Sequence, residues 1–387
     1  MRKHFLLFLL CLATNASLTA QETLRENNGE PTLVERLSNG EINSAEMNFQ
    51  LFTSANAEFV GKELDGMNFK LNRVRLEIKG DVGKWLGYHY RQSFNKYSDP
   101  YSLDNLSSSL ELAYVNLKAR HNLNFTIGKQ FVNFGGYEYY VNSIRVREFS
   151  EFNNLLTAYQ AGISGNWQVN PDHELCFQIV NNRNGNDEDI YPTGLPEGTA
   201  KAKIPFMYTV NWNSYYLDKS LQLRYATAVG QQTRKRYSYY FTCGNTYEKG
   251  PLLTYLDVMY TRQGIDQHGV VSRLPGTPHT AMNTEYLSII GDVDYRVHPQ
   301  WNVYVKGAYE TARVYKGNGD FRKGMYRRSW NAQSSVEFFP FKQLDLFVFV
   351  LYTYRGVILE KAATRMGAIE PDTHRISLGL VYSIPVF

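Results

Sequence analysis

From about Met47 to the last residue, Phe387, the chain repeats one unit: roughly ten residues of alternating apolar and polar side chains, a turn, then the same pattern running back. Because successive side chains on a strand point to opposite faces, such a segment is a strand with one apolar and one polar face. A protein that keeps this up for most of its length has little ordinary core, and an open sheet built this way would aggregate through its edges. Closure removes the edges. The apolar face is crowded with Tyr, Phe and Leu and no helix-period segment intervenes, so that face is expected to meet lipid rather than a second sheet. The predicted fold class is all-β: a transmembrane, antiparallel, up-and-down β-barrel.

The N-terminus fits export. Arg2 and Lys3 form a positive region, residues 5–13 an apolar stretch, and Ser17-Leu18-Thr19-Ala20 a cleavage site ahead of Gln21. Residues 1–20 are therefore expected to be a secretory signal peptide. A lipoprotein anchor at Cys11 is disfavoured, because Leu10 before it is not small and the apolar region would be cut in half. Beyond residue 20 no stretch approaches the roughly 18 apolar residues of a spanning helix. Mean hydropathy is −0.40, which does not separate a soluble protein from a barrel with a watery lumen. The 29 Tyr, 22 Phe and 5 Trp do better, since Tyr and Trp favour the membrane interface. The formal charge of +4 falls with the loss of Arg2 and Lys3 and says little about partners.

Residues 21–44 are polar without clear alternation and read as a periplasmic lead-in; residues 45–387 read as the barrel. The second strand, residues 69–80, carries the most weight. It sends Val74, Leu76 and Ile78 to one face and Arg73, Arg75, Glu77 and Lys79 to the other. Four charges alternating with three aliphatics cannot sit in a dry sandwich but suit a wall between lipid and water. Counting onward gives about sixteen strands, an even number. Links after even-numbered strands are short. Those after odd-numbered strands include the long segments 135–157, 182–204, 264–283 and 356–373, the asymmetry of short periplasmic turns and longer external loops. It places both termini in the periplasm. Cys176 and Cys243 fall three strands apart on opposite faces, roughly 14 Å around the wall, too far for a disulfide.

Two stretches resemble a known group. Leu71-Asn72-Arg73-Val74-Arg75-Leu76-Glu77-Ile78-Lys79-Gly80 is similar to the early R-x-R-L-x-x-K-G strand of the phosphate-selective porin O and P family. Gly128-Lys129-Gln130-Phe131-Val132-Asn133-Phe134-Gly135 resembles that family's G-Q-F-K-x-P-F-G strand before the third external loop. The Asp257-Val258-Met259-Tyr260 strand and the terminal Phe387 are similar to members from Bacteroidetes-type Gram-negative bacteria. The resemblance implies a 16-stranded general or anion-preferring outer-membrane porin, usually a homotrimer, set among outer-membrane lipid and lipopolysaccharide, with no cofactor, no nucleic-acid partner and no enzymatic activity. Phe131 stands where the family often has Lys, and Asn133 where it often has Pro, so phosphate selectivity is not carried over. Phe387 is out of phase with Ile376, Leu378, Leu380, Tyr382 and Ile384.

A channel this wide is selective only through a constriction, and rings of Arg or Lys favour anions. The 135–157 loop, which in this family folds inward, holds Arg145, Arg147, Glu148 and Glu151. The expectation is a basic strip made of Arg145 and Arg147 with Arg73, Arg75, Arg91 and Lys79, giving passive diffusion of small hydrophilic solutes with a modest preference for anions such as phosphate. Against it, Glu77, Asp257, Asp292, Asp294, Glu310 and Glu337 also point inward by parity.

Other chemistry finds less support. No histidine falls at metal-ligand spacing, and His89 reads as a wet lumen residue. The Asn- and Asp-rich run 181–189 reads as a solvated loop rather than a calcium site, lacking the EF-hand pattern. The alternatives are a barrel protease or phospholipase using Asp266, His268 or His279 in the 264–283 loop, and a soluble secreted glycan-binding β protein.

Overall fold

The computed structural model describes residues 42–95, 109–140, 145–183, 190–191, 193–277 and 279–386. The expected signal peptide, Cys11, most of the lead-in, most of the 181–189 run and Phe387 lie outside the described residues. Sixteen antiparallel strands close into one barrel, each bonded to its sequence neighbours and the first to the last. They are β1 (Ile42–Val60), β2 (Glu63–Val82), β3 (Leu86–Ser93), β4 (Leu110–Arg120), β5 (Leu123–Phe131), β6 (Tyr159–Asn170), β7 (His173–Asn181) and β8 (Phe206–Tyr216). The second half comprises β9 (Leu221–Thr233), β10 (Arg236–Lys249), β11 (Leu252–Ile265), β12 (Met282–His298), β13 (Trp301–Val314), β14 (Gly324–Phe338), β15 (Asp345–Leu359) and β16 (Thr373–Pro385). Among the described residues two short helices lie in loops: α1 (Glu151–Leu155) and α2 (Lys361–Thr364).

The loop asymmetry holds, with two exceptions. Residues 61–62 and 234–235 close the external ends of β1–β2 and β9–β10 as tightly as any periplasmic turn. Strand β1 begins three residues inside the segment expected to be the lead-in. The parity of β2 also breaks twice, at Asp65, where Glu58 pairs with Gly66 but Phe59 with Leu64, and at Asn72. Phe52 pairs with Arg73 but Thr53 with Leu71, so Asn72 is an extra residue. That bulge keeps Met67, Phe69 and Leu71 exposed above it, as Val74, Leu76 and Ile78 face outward below it. Strict alternation would have turned Phe69 and Leu71 into the lumen.

Exposed aromatics mark both rims of the outer wall: Trp85, Trp167 and Trp301 at the short-turn end, Phe206, Tyr208, Tyr237 and Tyr239 at the other. Cys176 is buried and Cys243 exposed, and both are free.

The inside is less watery than alternation alone implies. A packed apolar core sits within the barrel, where Phe134, Tyr139, Phe152 and Leu156 of the third external loop meet Tyr240, Tyr255, Met259, Tyr286 and Ile290 of the wall. A second cluster, Phe52, Phe347, Phe349, Leu351 and Val381, covers the inner face of β1, β15 and β16. The expectation of little ordinary core is thus corrected: lumen-facing aromatics, inconspicuous in an already aromatic-rich sequence, pair with an inward loop to make one.

Candidate functional site

The third external loop, residues 132–158, leaves β5 and turns into the lumen. Two successive glycines permit the turn. Gly135 and Gly136 have φ of 78° and 82°, a region costly for other residues. A Cβ on Gly135 would stand 2.8 Å from the Ala226 Cβ, and one on Gly244 of β10 would stand 2.7 Å from the Gly136 Cα. The loop therefore lies directly on the β9–β11 wall.

Three carboxylates then hold it. Asp257 on β11 accepts the Tyr137 N–H at 2.8 and 2.7 Å and the Glu138 N–H at 2.8 Å. Glu310 on β13 accepts the Phe152 N–H at 2.8 Å and the Glu151 N–H at 3.2 Å, serving the unpaired amides at the start of α1. Glu138, fully buried, accepts from the Ser150 hydroxyl at 2.6 Å and from Asn153, and pairs with Lys306 of β13. Charge-assisted bonds of this kind are the strong ones. Further out, Arg327 bridges Glu151 at 2.5 Å and Glu370 at 2.7 Å, and Arg375 pairs with Glu148. Several acids that parity places in the lumen are thus engaged by the loop rather than exposed to permeating solute.

The six basic residues expected to form one strip fall into two places. Arg73, Arg75, Lys79 and Arg91 line a cavity of about 590 Å³ between the β1–β5 wall and the loop face carrying Tyr139, Tyr140 and Asn153. Arg145 and Arg147 line a separate cavity of about 410 Å³ toward the β10–β11 turn. In the first, Arg75 and Arg91 share Glu111 at 2.9 Å each. Arg91 also lies 4.9 Å from the Phe131 ring centroid and donates to the Tyr159 hydroxyl at 2.9 Å. Arg73 stands over Phe52, and Lys79 reaches Glu46 at 2.9 Å. His89, near this wall, bonds Glu77 at 2.7 Å and Tyr114 at 2.8 Å. In the second cavity Arg147 is buried against Glu337 with its guanidinium 4.9 Å from the Phe347 ring centroid. Burial opposes its charge, yet Glu337 more than compensates and its pKa stands above the ordinary value. Arg145 makes a half-exposed pair with Glu248 at 3.4 Å.

Charge balance separates the cavities. The first has four cations against Glu77 and Glu111. The second has Arg145, Arg147 and Arg296 against Glu248, Asp294, Asp345 and Glu337. A third, about 270 Å³ near the external rim, sets Arg355 and Arg375 against Glu58, Asp65 and Glu148. Of these three, only the β2–β5 cavity carries a cation excess.

The residues weighed for hydrolysis are not arranged for it. Asp266 accepts the Gly269 and Ser272 amides, the Ser272 hydroxyl at 2.6 Å and the Tyr286 hydroxyl, closing its own loop. His268 is packed on Phe152 and Tyr286, and burial pulls its pKa down to about 3. His279 pairs with Asp320 at 2.9 Å. Among the described residues no group of three or more metal-ligating side chains comes together.

The sequence profile of the family described as phosphate-selective porin O and P matches residues 44–384. Among solved structures, the outer membrane channel DcaP of Acinetobacter baumannii superposes with a TM-score of 0.62 at 13% identity, over 88% of this chain and 97% of that one. The anion-selective porin from Comamonas acidovorans gives 0.57 at 11%, over 88% and 99%. The trimer form of OmpT, an outer membrane protein of Vibrio cholerae, gives 0.54 at 11%, over 88% and 99%. A search of curated proteins returns no match.

Proposed function

The chain belongs to the phosphate-selective porin O and P family and is a channel of the outer membrane, and from that premise we propose that small anions cross it through the β2–β5 cavity. The observation that carries this is the balance there of four cations against two carboxylates, because a constriction lined by excess Arg and Lys lowers the barrier for anions. Arg73, Arg75, Lys79 and Arg91 are the contacting residues of this reading; Arg145 and Arg147 contribute little, because carboxylates outnumber cations in the lining of their cavity. The Comamonas acidovorans porin, described as anion-selective, supports the same direction.

Around this pore the reading is of passive, non-enzymatic diffusion of small hydrophilic solutes. The mature chain begins after cleavage at Ala20, with a lead-in to about residue 44, a barrel to residue 387, and outer-membrane lipid and lipopolysaccharide around it. A homotrimer is the assembly we favour, on the family and on the trimer form of the Vibrio cholerae protein. Crosslinking in native membranes tests it. Reversal potentials in planar bilayers under a potassium chloride gradient test selectivity. Anion preference is expected in the parent protein, reduced in Arg73→Ala/Arg91→Ala and retained in Arg145→Ala/Arg147→Ala. Cation preference in the parent protein would overturn the reading.

A further inference from the structure

The outer wall is not evenly convex. Across β5 to β8 it carries an apolar groove of about 910 Å³. Its floor is low because β6 places Gly165 between the outward Ile163 and Trp167, and the Phe125 ring lies 3.4 Å from where a Cβ on Gly165 would stand. Phe177, Ile179 and Tyr208 form the far side.

The periplasmic end has a different chemistry. Arg120 and Asn122, beside the β4–β5 turn, line it there. The Arg120 side chain is exposed and makes no hydrogen bond or ion pair among the described residues. No Asp or Glu lines the groove. In a protein whose other arginines so often meet carboxylates, a guanidinium with no partner among the described residues, at the end of an apolar channel, is a site for an anion.

We propose that the groove seats one acyl chain of a glycerophospholipid of the periplasmic leaflet, whose phosphate is bound by Arg120. This rests on the membrane-spanning reading of the barrel. Depth and charge favour lipid over a second copy of the chain. The lining is apolar from Trp167 to Phe206, as an acyl chain requires, and the cation sits at headgroup level beside Trp167. A second copy would have to bring a carboxylate to Arg120. The outward carboxylate on the described strands, Glu285, lies at the external end and is engaged by Arg313 at 3.0 Å and Tyr260 at 2.9 Å.

The test is native mass spectrometry of the full channel in detergent, titrated with phosphatidylglycerol and phosphatidylethanolamine. One phospholipid per chain is expected to persist in the parent protein. Arg120→Gln should weaken retention of both lipids about tenfold, as expected for loss of a charge-assisted phosphate contact. Gly165→Leu should abolish retention by filling the groove. Unaltered lipid retention in Arg120→Gln would overturn the proposal, as would a loss of oligomer in either variant without loss of lipid, which would assign the groove to a second copy. Unitary conductance of the same variants keeps the two readings apart. The groove lies outside the pore, so conductance should be unchanged, and failure of the lipid proposal leaves the channel untouched.

Discussion

The β2–β5 and β11–β14 walls both send charges inward, yet those charges meet different partners. On β2–β5 the charges are mostly basic and line a cavity of about 590 Å³. On β11–β13 the inward acids Asp257 and Glu310 are consumed by amides of the third loop, and Lys306 by Glu138. One wall borders an open cavity and the other is engaged by the loop. A charge read from strand parity therefore gives the side of the wall, and its role depends on whether the inward loop reaches it.

The largest effect should come from breaking the anchored side. Lys306→Ala would leave Glu138 buried without its cation, a loss of about 3–5 kcal/mol for a broken buried pair. We expect residues 132–158 to become cleavable by limited proteolysis and the open channel to become noisier. Unchanged protease resistance would mean the loop is held mainly by its apolar contacts. Next comes Gly136→Val. The left-handed φ of 82° and the Asp257 oxygen 3.3 Å from a Cβ should cost about 1–2 kcal/mol or more and lift the loop from the wall, read as altered unitary conductance.

Acid offers a milder probe of the same side. The His268 pKa is depressed from 6.5 to about 3 by burial, so the unfolded chain binds this proton more readily than the folded one. The stability it contributes is complete above about pH 6.5 and is lost as pH falls toward about 3. Thermal unfolding should be less acid-sensitive in His268→Phe than in the parent protein over that window; identical pH profiles would argue against it. The smallest effect is expected for Arg145→Ala, whose half-exposed pair contributes less than about 1 kcal/mol. A large shift of reversal potential in that variant would erase the distinction between the two walls.

Most of the barrel was legible along the chain. Alternation is local, so the strand number, the inward face of Arg73, Arg75 and Arg91, and the order of short turns and long loops could be read from neighbouring residues. The bulge at Asn72 could not, because it is defined by the offset between Phe52 and Arg73 on different strands. The loop anchors were half legible. Asp257 and Glu310 stood out as inward acids, and Gly135-Gly136 as a turn, but nothing in sequence joined them. Asp257 and Tyr137 are 120 positions apart, and Glu310 and Phe152 are 158.

The sequence by itself determined a closed, lipid-facing sheet and its orientation, since the pleat assigns each side chain a face from its immediate neighbours. Only the tertiary structure decided which lumen charges stay open to a cavity, because a carboxylate is engaged by whatever donor the folded loop brings within about 3 Å, and that donor lies far away in the chain.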